Sequence, residues 1–130
     1  MRNFRFASAA LALVLSLTVA ACAASEAKPL QVTYYYEPGC ETCNQVKPEV
    51  QALEQEFPGR VEVDLVSAED ADAREDVHRL EFRSQGLVVR DFRGAVLIKQ
   101  ADHSVNLDEV RATLQQALGG GTAEDAEGAG

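Results

Sequence analysis

The 130-residue sequence has no tryptophan, and aromatic residues make up only 6% of it. Its core must therefore come mostly from Val, Leu and Ala, not from large rings. Cations are scarce too: 12 Lys and Arg stand against 21 Asp and Glu, for a formal net charge of −9. Nucleic-acid binding needs clustered Lys and Arg, so no nucleic-acid partner is expected. The acid excess reads as a solubility device. There is no internal repeat, and no apolar run is long enough to span a bilayer as a helix. What remains, 46% hydrophobic and 25% charged residues, suits one globular domain of ordinary make-up.

The first 22 residues have their own character. Arg2 and Arg5 form a basic start, and residues 7–21 are apolar apart from small Ser and Thr. This is the shape of a secretory signal over 1–21. Its end, Val19-Ala20-Ala21-Cys22, resembles the lipobox of bacterial lipoproteins: an aliphatic residue, two small ones, then Cys. The resemblance implies that Cys22 is the first mature residue and carries a lipid, so that the membrane is a partner through that lipid. Residues 22–29 would be a tether, and the protein would sit on the periplasmic or cell-surface side. The absence of Asp at position 23 implies outer-membrane sorting in a Gram-negative host. Against this stands a plain signal cleaved nearby, with Cys22 incidental. If Cys22 is lipidated, two of the three cysteines remain, and no odd thiol is left in an oxidising compartment.

Those two lie in Gly39-Cys40-Glu41-Thr42-Cys43, between an apolar, aromatic run that reads as a strand and an apolar-periodic run, 46–57, that reads as a helix. In the first turn of a helix, residues i and i+3 share a face, so the two sulfurs can close a small ring. The first cysteine would meet unpaired backbone N–H groups and the helix dipole, which favour a thiolate. Two cysteines at this spacing, where a strand turns into a helix, suit thiol–disulfide chemistry.

The body predicted over 30–118 reads in order as follows. A first strand, 30–37, ends at Pro38-Gly39. The helix after it carries Cys43, Val46, Val50, Leu53 and Phe57 on one stripe, with Pro48 inside. Val61, Val63 and Leu65 alternate with acids in a second strand. Ser67 and Asp70 resemble a capping box before a second helix over 70–82, with Ala73, Val77 and Leu80 inward. Runs 87–91 and 95–99, joined by Phe92-Arg93-Gly94, signal an antiparallel hairpin. Asn106 and Glu109 form a second capping pair before Leu107, Val110, Leu114 and Leu118. Gly119-Gly120-Gly121 ends that helix, and 119–130 is expected to be a disordered acidic Gly/Ala tail. The order β-α-β-α-β-β-α predicts an α/β fold. Its first two strands should be parallel with a right-handed crossover, in a mixed four-stranded sheet with helices on both faces.

This order, with Cys40 and Cys43 at the start of the first helix and Pro48 eight residues after Cys40, resembles the thioredoxin-fold thiol–disulfide oxidoreductases over nearly the whole body. The resemblance implies that Cys40 attacks and Cys43 resolves, with Gly39, Glu41 and Thr42 lining the site. It implies extracytoplasmic client proteins with cysteines, a membrane or periplasmic electron donor, and no cofactor. The chain departs from the family in several places. Gly39 stands where thioredoxins have Trp, and Glu41-Thr42 where they have Gly-Pro. Tyr34 stands where they bury an acid. No proline occurs in Arg83-Ser84-Gln85-Gly86-Leu87, where the family carries a cis-proline facing the disulfide, so Gln85 or Gly86 takes that place in lining the site.

The helix N-terminus would lower the pKa of Cys40, while Glu37 and Glu41 would raise it by repulsion, so a moderately reducing couple is expected. Lys47 lies too far along the helix to reverse this. Two other readings stay open. One is a copper- or metal-binding lipoprotein: a closed zinc site wants four ligands, and only His78 and His103, both read as surface, add nitrogen, but a two-thiolate copper(I) site needs neither. The other is a non-enzymatic adaptor that uses the fold as a surface. A stapling disulfide is disfavoured, since a four-residue ring removes little chain entropy. No metal is expected at the pair under the leading reading.

Overall fold

The computed structural model describes residues 27–119. The expected signal segment, Cys22, most of the tether and the tail from 120 lie outside the described residues. The elements follow the predicted order: β1 (Leu30–Tyr36), α1 (Glu41–Glu56), β2 (Val61–Ser67), α2 (Ala71–Arg79), β3 (Gly86–Arg90), β4 (Val96–Ala101) and α3 (Leu107–Gly119). The strands form one sheet in the order β2-β1-β3-β4. β1 and β2 are parallel from Leu30↔Val61 to Tyr36↔Ser67, as a strand–helix–strand crossover requires. β3 runs antiparallel to both β1 and β4.

The two-residue period of the strands sorts side chains onto two faces and so builds two cores. On one face, Leu30, Val32 and Tyr34 of β1 and Leu87 and Val89 of β3 join Cys43, Val50 and Leu53 of α1 and Val110 and Leu114 of α3. On the other, Tyr35 and Val88 meet Ala73, Val77, Leu80 and Phe82 from the α2 segment. The predicted helix stripes are thus the buried ones, and helices cover both faces of the mixed sheet. Residues 87–89 are fully buried because β3 is interior and covered on both sides.

α1 runs through Pro48 to Glu56, although that residue has no N–H to donate to the carbonyl four residues back. α2 is shorter than the predicted 70–82. It ends at Arg79, and Glu81 takes a positive φ of 64° that breaks the helix while Leu80 and Phe82 still turn inward. The expected Ser67 cap is corrected. β2 extends through Ser67, which is registered with Tyr36, so its backbone belongs to the sheet. Asp70 takes the N-cap position without a side-chain capping bond, and Ser67 Oγ accepts from Glu69 N–H at 3.3 Å.

Asn106 does cap α3. Its Oδ1 accepts from the N–H groups of Asp108 (3.1 Å) and Glu109 (3.2 Å). Glu109 does not close a reciprocal box, because its carboxylate accepts from Gln100 Nε2 at 2.9 Å. Gln100, only 7% exposed, also accepts from Asn106 N–H through Oε1 at 2.8 Å. These bonds fasten the end of β4 to the start of α3 and so fix the loop that carries His103. No described helix is long and apolar enough to cross a membrane.

Candidate active site

β1 stops at Tyr36, and the chain turns through Pro38-Gly39, closing with a bond from Cys40 N–H to the Glu37 carbonyl at 3.1 Å. Gly39 holds a φ of +86°, a left-handed backbone that glycine adopts without strain. Cys40 is then the N-cap of α1, and its sulfur accepts from Cys43 N–H at 3.2 Å. A backbone donor aimed at a sulfur favours its charged form.

The Cα atoms of Cys40 and Cys43 are 5.3 Å apart, and the two residues form a disulfide. Its two ends differ. Cys43 is 1% exposed and belongs to the inner core, whereas Cys40 sits at the rim, partly open, between exposed Gly39 and Glu41. Thr42 is also exposed. Gly39, Cys40, Glu41 and Thr42 therefore form one rim with a single sulfur facing solvent, and Cys43 lies buried behind it.

The strand period separates Gln85 from Gly86. Gln85, 1% exposed, turns toward the α1 side, where its Oε1 lies against Cys43 Sγ. Gly86 opens β3 and turns the other way, toward the ring of Phe82 and the carbonyl of Gln100. Of the two positions offered in place of the family's proline, Gln85 is the one that meets the pair.

Two features lay beyond sequence reasoning. His103, read as plain surface, places Nε2 2.8 Å from Gln85 Nε2. The link depends on the β4–α3 loop folding back across β3, which no local pattern announces. Lys47, expected to lie too far along the helix to act on the pair, stacks its ammonium over the Tyr36 ring at 3.7 Å, a contact that no local pattern announces. Tyr34, at the position where an acid was looked for, is 2% exposed, and burial raises its phenol pKa, so it is neutral. Among the described residues, no group of three or more His, Cys, Asp and Glu is placed to hold a metal ion.

No family model matches the sequence, and no curated protein matches it. Solved structures do. A thioredoxin from Fasciola hepatica matches at 21% identity and a TM-score of 0.55, over 70% of this chain and 83% of that one. Thioredoxin 1 from the eubacterium Thermosipho africanus matches at 16% identity and a TM-score of 0.56, over 68% and 93%. Thioredoxin f2, in a complex with ferredoxin:thioredoxin reductase, matches at 14% identity and a TM-score of 0.55, over 71% and 80%. The class is thereby defined: this chain has the thioredoxin fold, with a cysteine pair at the N-terminus of its first helix.

Proposed function

We propose that this protein is a thiol–disulfide oxidoreductase that exchanges disulfides with client proteins through Cys40 and Cys43. The observation that carries the reading is the asymmetry of the pair: Cys40 is at the solvent rim and Cys43 is buried directly behind it. A client disulfide reaches only the outer sulfur. The Cys40 thiolate attacks it, forming a mixed disulfide and releasing one client sulfur as a thiolate. Cys43 then attacks Cys40 Sγ, closes the internal disulfide and frees the second client sulfur. The client is reduced by two electrons and the pair is oxidised by two.

The pair must then be re-reduced, and the partner assigned to that step is a membrane or periplasmic electron donor. The capture of thioredoxin f2 with a reductase supports expecting a redox partner of some kind. Lipidation at Cys22 and an extracytoplasmic location complete the proposal and rest on residues 1–22 of the sequence.

The test is reduction of insulin by dithiothreitol. The expected result is faster precipitation with the protein than without it, abolished by Cys40→Ser, together with mixed disulfides trapped on Cys43→Ser. No acceleration by the intact protein overturns the reading.

A further inference from the structure

Cys43, Gln85 and His103 form a continuous line from the core to the surface. Gln85 Oε1 contacts Cys43 Sγ, and Gln85 Nε2 lies 2.8 Å from His103 Nε2. Cys43 and Gln85 are each 1% exposed, and His103 is exposed. We propose that the Gln85 amide, by the face it turns to Cys43, couples loss of the proton from that thiol to the hydrogen on Nε2 of His103. This rests on the reading of Cys43 as the resolving thiol and makes Gln85 and His103 positioning residues for the resolving step.

The argument is one of donors and acceptors. An amide nitrogen only donates and an amide oxygen only accepts. Once the disulfide is reduced, this placement of Oε1 serves Cys43 as a thiol, S–H donating to oxygen. Gln85 Nε2 then donates to His103 Nε2, an arrangement that uses the lone pair of that ring nitrogen. Resolution needs the thiolate, and a thiolate facing a carbonyl oxygen is repelled. Half a turn of the amide reverses both ends. Nε2–H now donates to the thiolate, and Oε1 faces His103, which must present an N–H. A neutral ring with its proton on Nε2 meets that need, and an imidazolium meets it while also offsetting the sulfur's charge. Both amide orientations thus satisfy the same two partners with no heavy-atom displacement elsewhere. Coupling of this kind is reciprocal by linkage.

Among the described residues, no other side chain of the core face around Cys43 is charged. The inward positions of β1 are Leu30, Val32, Tyr34 and Tyr36, with Lys47 engaged on the Tyr36 ring. Glu41 and Glu37 stand at the outer rim beside Cys40. Around His103, Arg83 and Asp102 line the hollow on one side. Glu49 of α1 and Asp108 and Arg111 of α3 line the hollow on the other. The start of the loop is pinned beside His103: Asp102 N–H donates to the Gln85 carbonyl at 2.8 Å, and Asp102 Oδ1 accepts from Arg83 N–H at 3.2 Å. His103 is therefore held in line with the amide.

The resolving step balances without another reactant. Cys43 thiolate forms the bond to Cys40 Sγ, the bond from Cys40 to the bound thiol breaks, and that thiol leaves as a thiolate. It can be isolated with 5,5′-dithiobis(2-nitrobenzoate), an aromatic disulfide, as oxidant. The full chain, reduced, carrying Cys22→Ser and held in detergent, is mixed rapidly with the reagent across a range of pH. One coloured thiolate appears at a rate proportional to reagent as Cys40 is modified. A second appears at a rate independent of reagent as Cys43 resolves.

The expected result is that His103→Ala, at an exposed position that leaves the core intact, slows the second phase by about tenfold below neutral pH, the effect of one hydrogen bond to a charged group. Its pH profile should become that of a single thiol, while the first phase is unchanged. Gln85→Leu should do the same. If the intact protein shows both phases and His103→Ala keeps the rate and pH profile of the second, the coupling is overturned and the oxidoreductase reading stands. If the intact protein shows no second phase, both fall.

Discussion

The ring of Phe82 occupies the space into which any side chain at Gly86 would project. A Cβ built at Gly86 falls 2.6 Å from Phe82 Cδ2 and Cε2, and 2.8 Å from the backbone oxygen of Gln100. Neither neighbour is the loose end of a flexible chain: one is a core ring and the other a strand carbonyl. This close approach lets β3 start directly after Gln85, and it explains why proline, which also carries a Cβ, does not fit here. Gly86→Ala should destabilise the protein by about 1–3 kcal/mol, the usual cost of overpacking. Urea denaturation checks it, and an unchanged midpoint would show that the ring moves aside freely.

Asn106 holds two jobs at one position. Its side chain caps α3, and its backbone N–H binds Gln100 Oε1. Asn106→Ala removes only the first, so the expected loss is about 1 kcal/mol, typical of an N-cap. Asn106→Asp, which keeps an acceptor at the N-terminus, should recover most of it. Equal losses in the two variants would mean that the cap contributes nothing.

Reducing the disulfide should leave the fold standing. The ring spans four residues, and the chain entropy that such a loop removes from the unfolded state is worth about 2 kcal/mol at most. Cys43 stays packed between Val50, Leu53 and the sheet in either state, and its contact with Gln85 serves a thiol well. Far-ultraviolet circular dichroism with and without dithiothreitol should superimpose, with a modest fall in the denaturation midpoint. Collapse of the spectrum on reduction would mark the pair as a structural staple instead.

The parts of this architecture legible in the sequence are those written in local periods. Alternation in Val61-Glu62-Val63-Asp64-Leu65 and the spacing of Cys43, Val50 and Leu53 state which side faces inward, and the structure buries those sides. The hairpin was legible from Gly94 between two apolar runs. The rest depends on what meets across the fold. Ser67 looked like a cap because four letters fit a pattern, but pairing with Tyr36 had the stronger claim on its backbone. Glu109 was drawn from its own helix end by Gln100, nine residues away. Gln85 and His103 are 18 residues apart, joined only because β3, β4 and the loop after them bring both to the back of Cys43. Contacts of that kind leave no periodic trace.

Arg111 of α3 reaches α1 through a paired contact, with Nε 2.8 Å from Glu56 Oε2 and Nη2 3.0 Å from Oε1. The guanidinium donates to the carboxylate and holds Glu56 below its ordinary value of 4.5. A carboxylate whose folded pKa is depressed contributes stability above its unfolded pKa and loses it as pH falls through the lower folded value. Both side chains are about one-third exposed, at 32% and 35%, so solvent screens the pair. The expected contribution is about 0.5–1 kcal/mol near neutral pH, smaller still in high salt. Glu56→Gln should therefore be less stable than the parent by that amount at neutral pH, and the gap should close as the pH falls through the lowered folded value of Glu56. Comparing the two urea midpoints at each pH cancels the titration of every other acid. A gap that is constant across the range would assign the loss to packing and not to the ion pair.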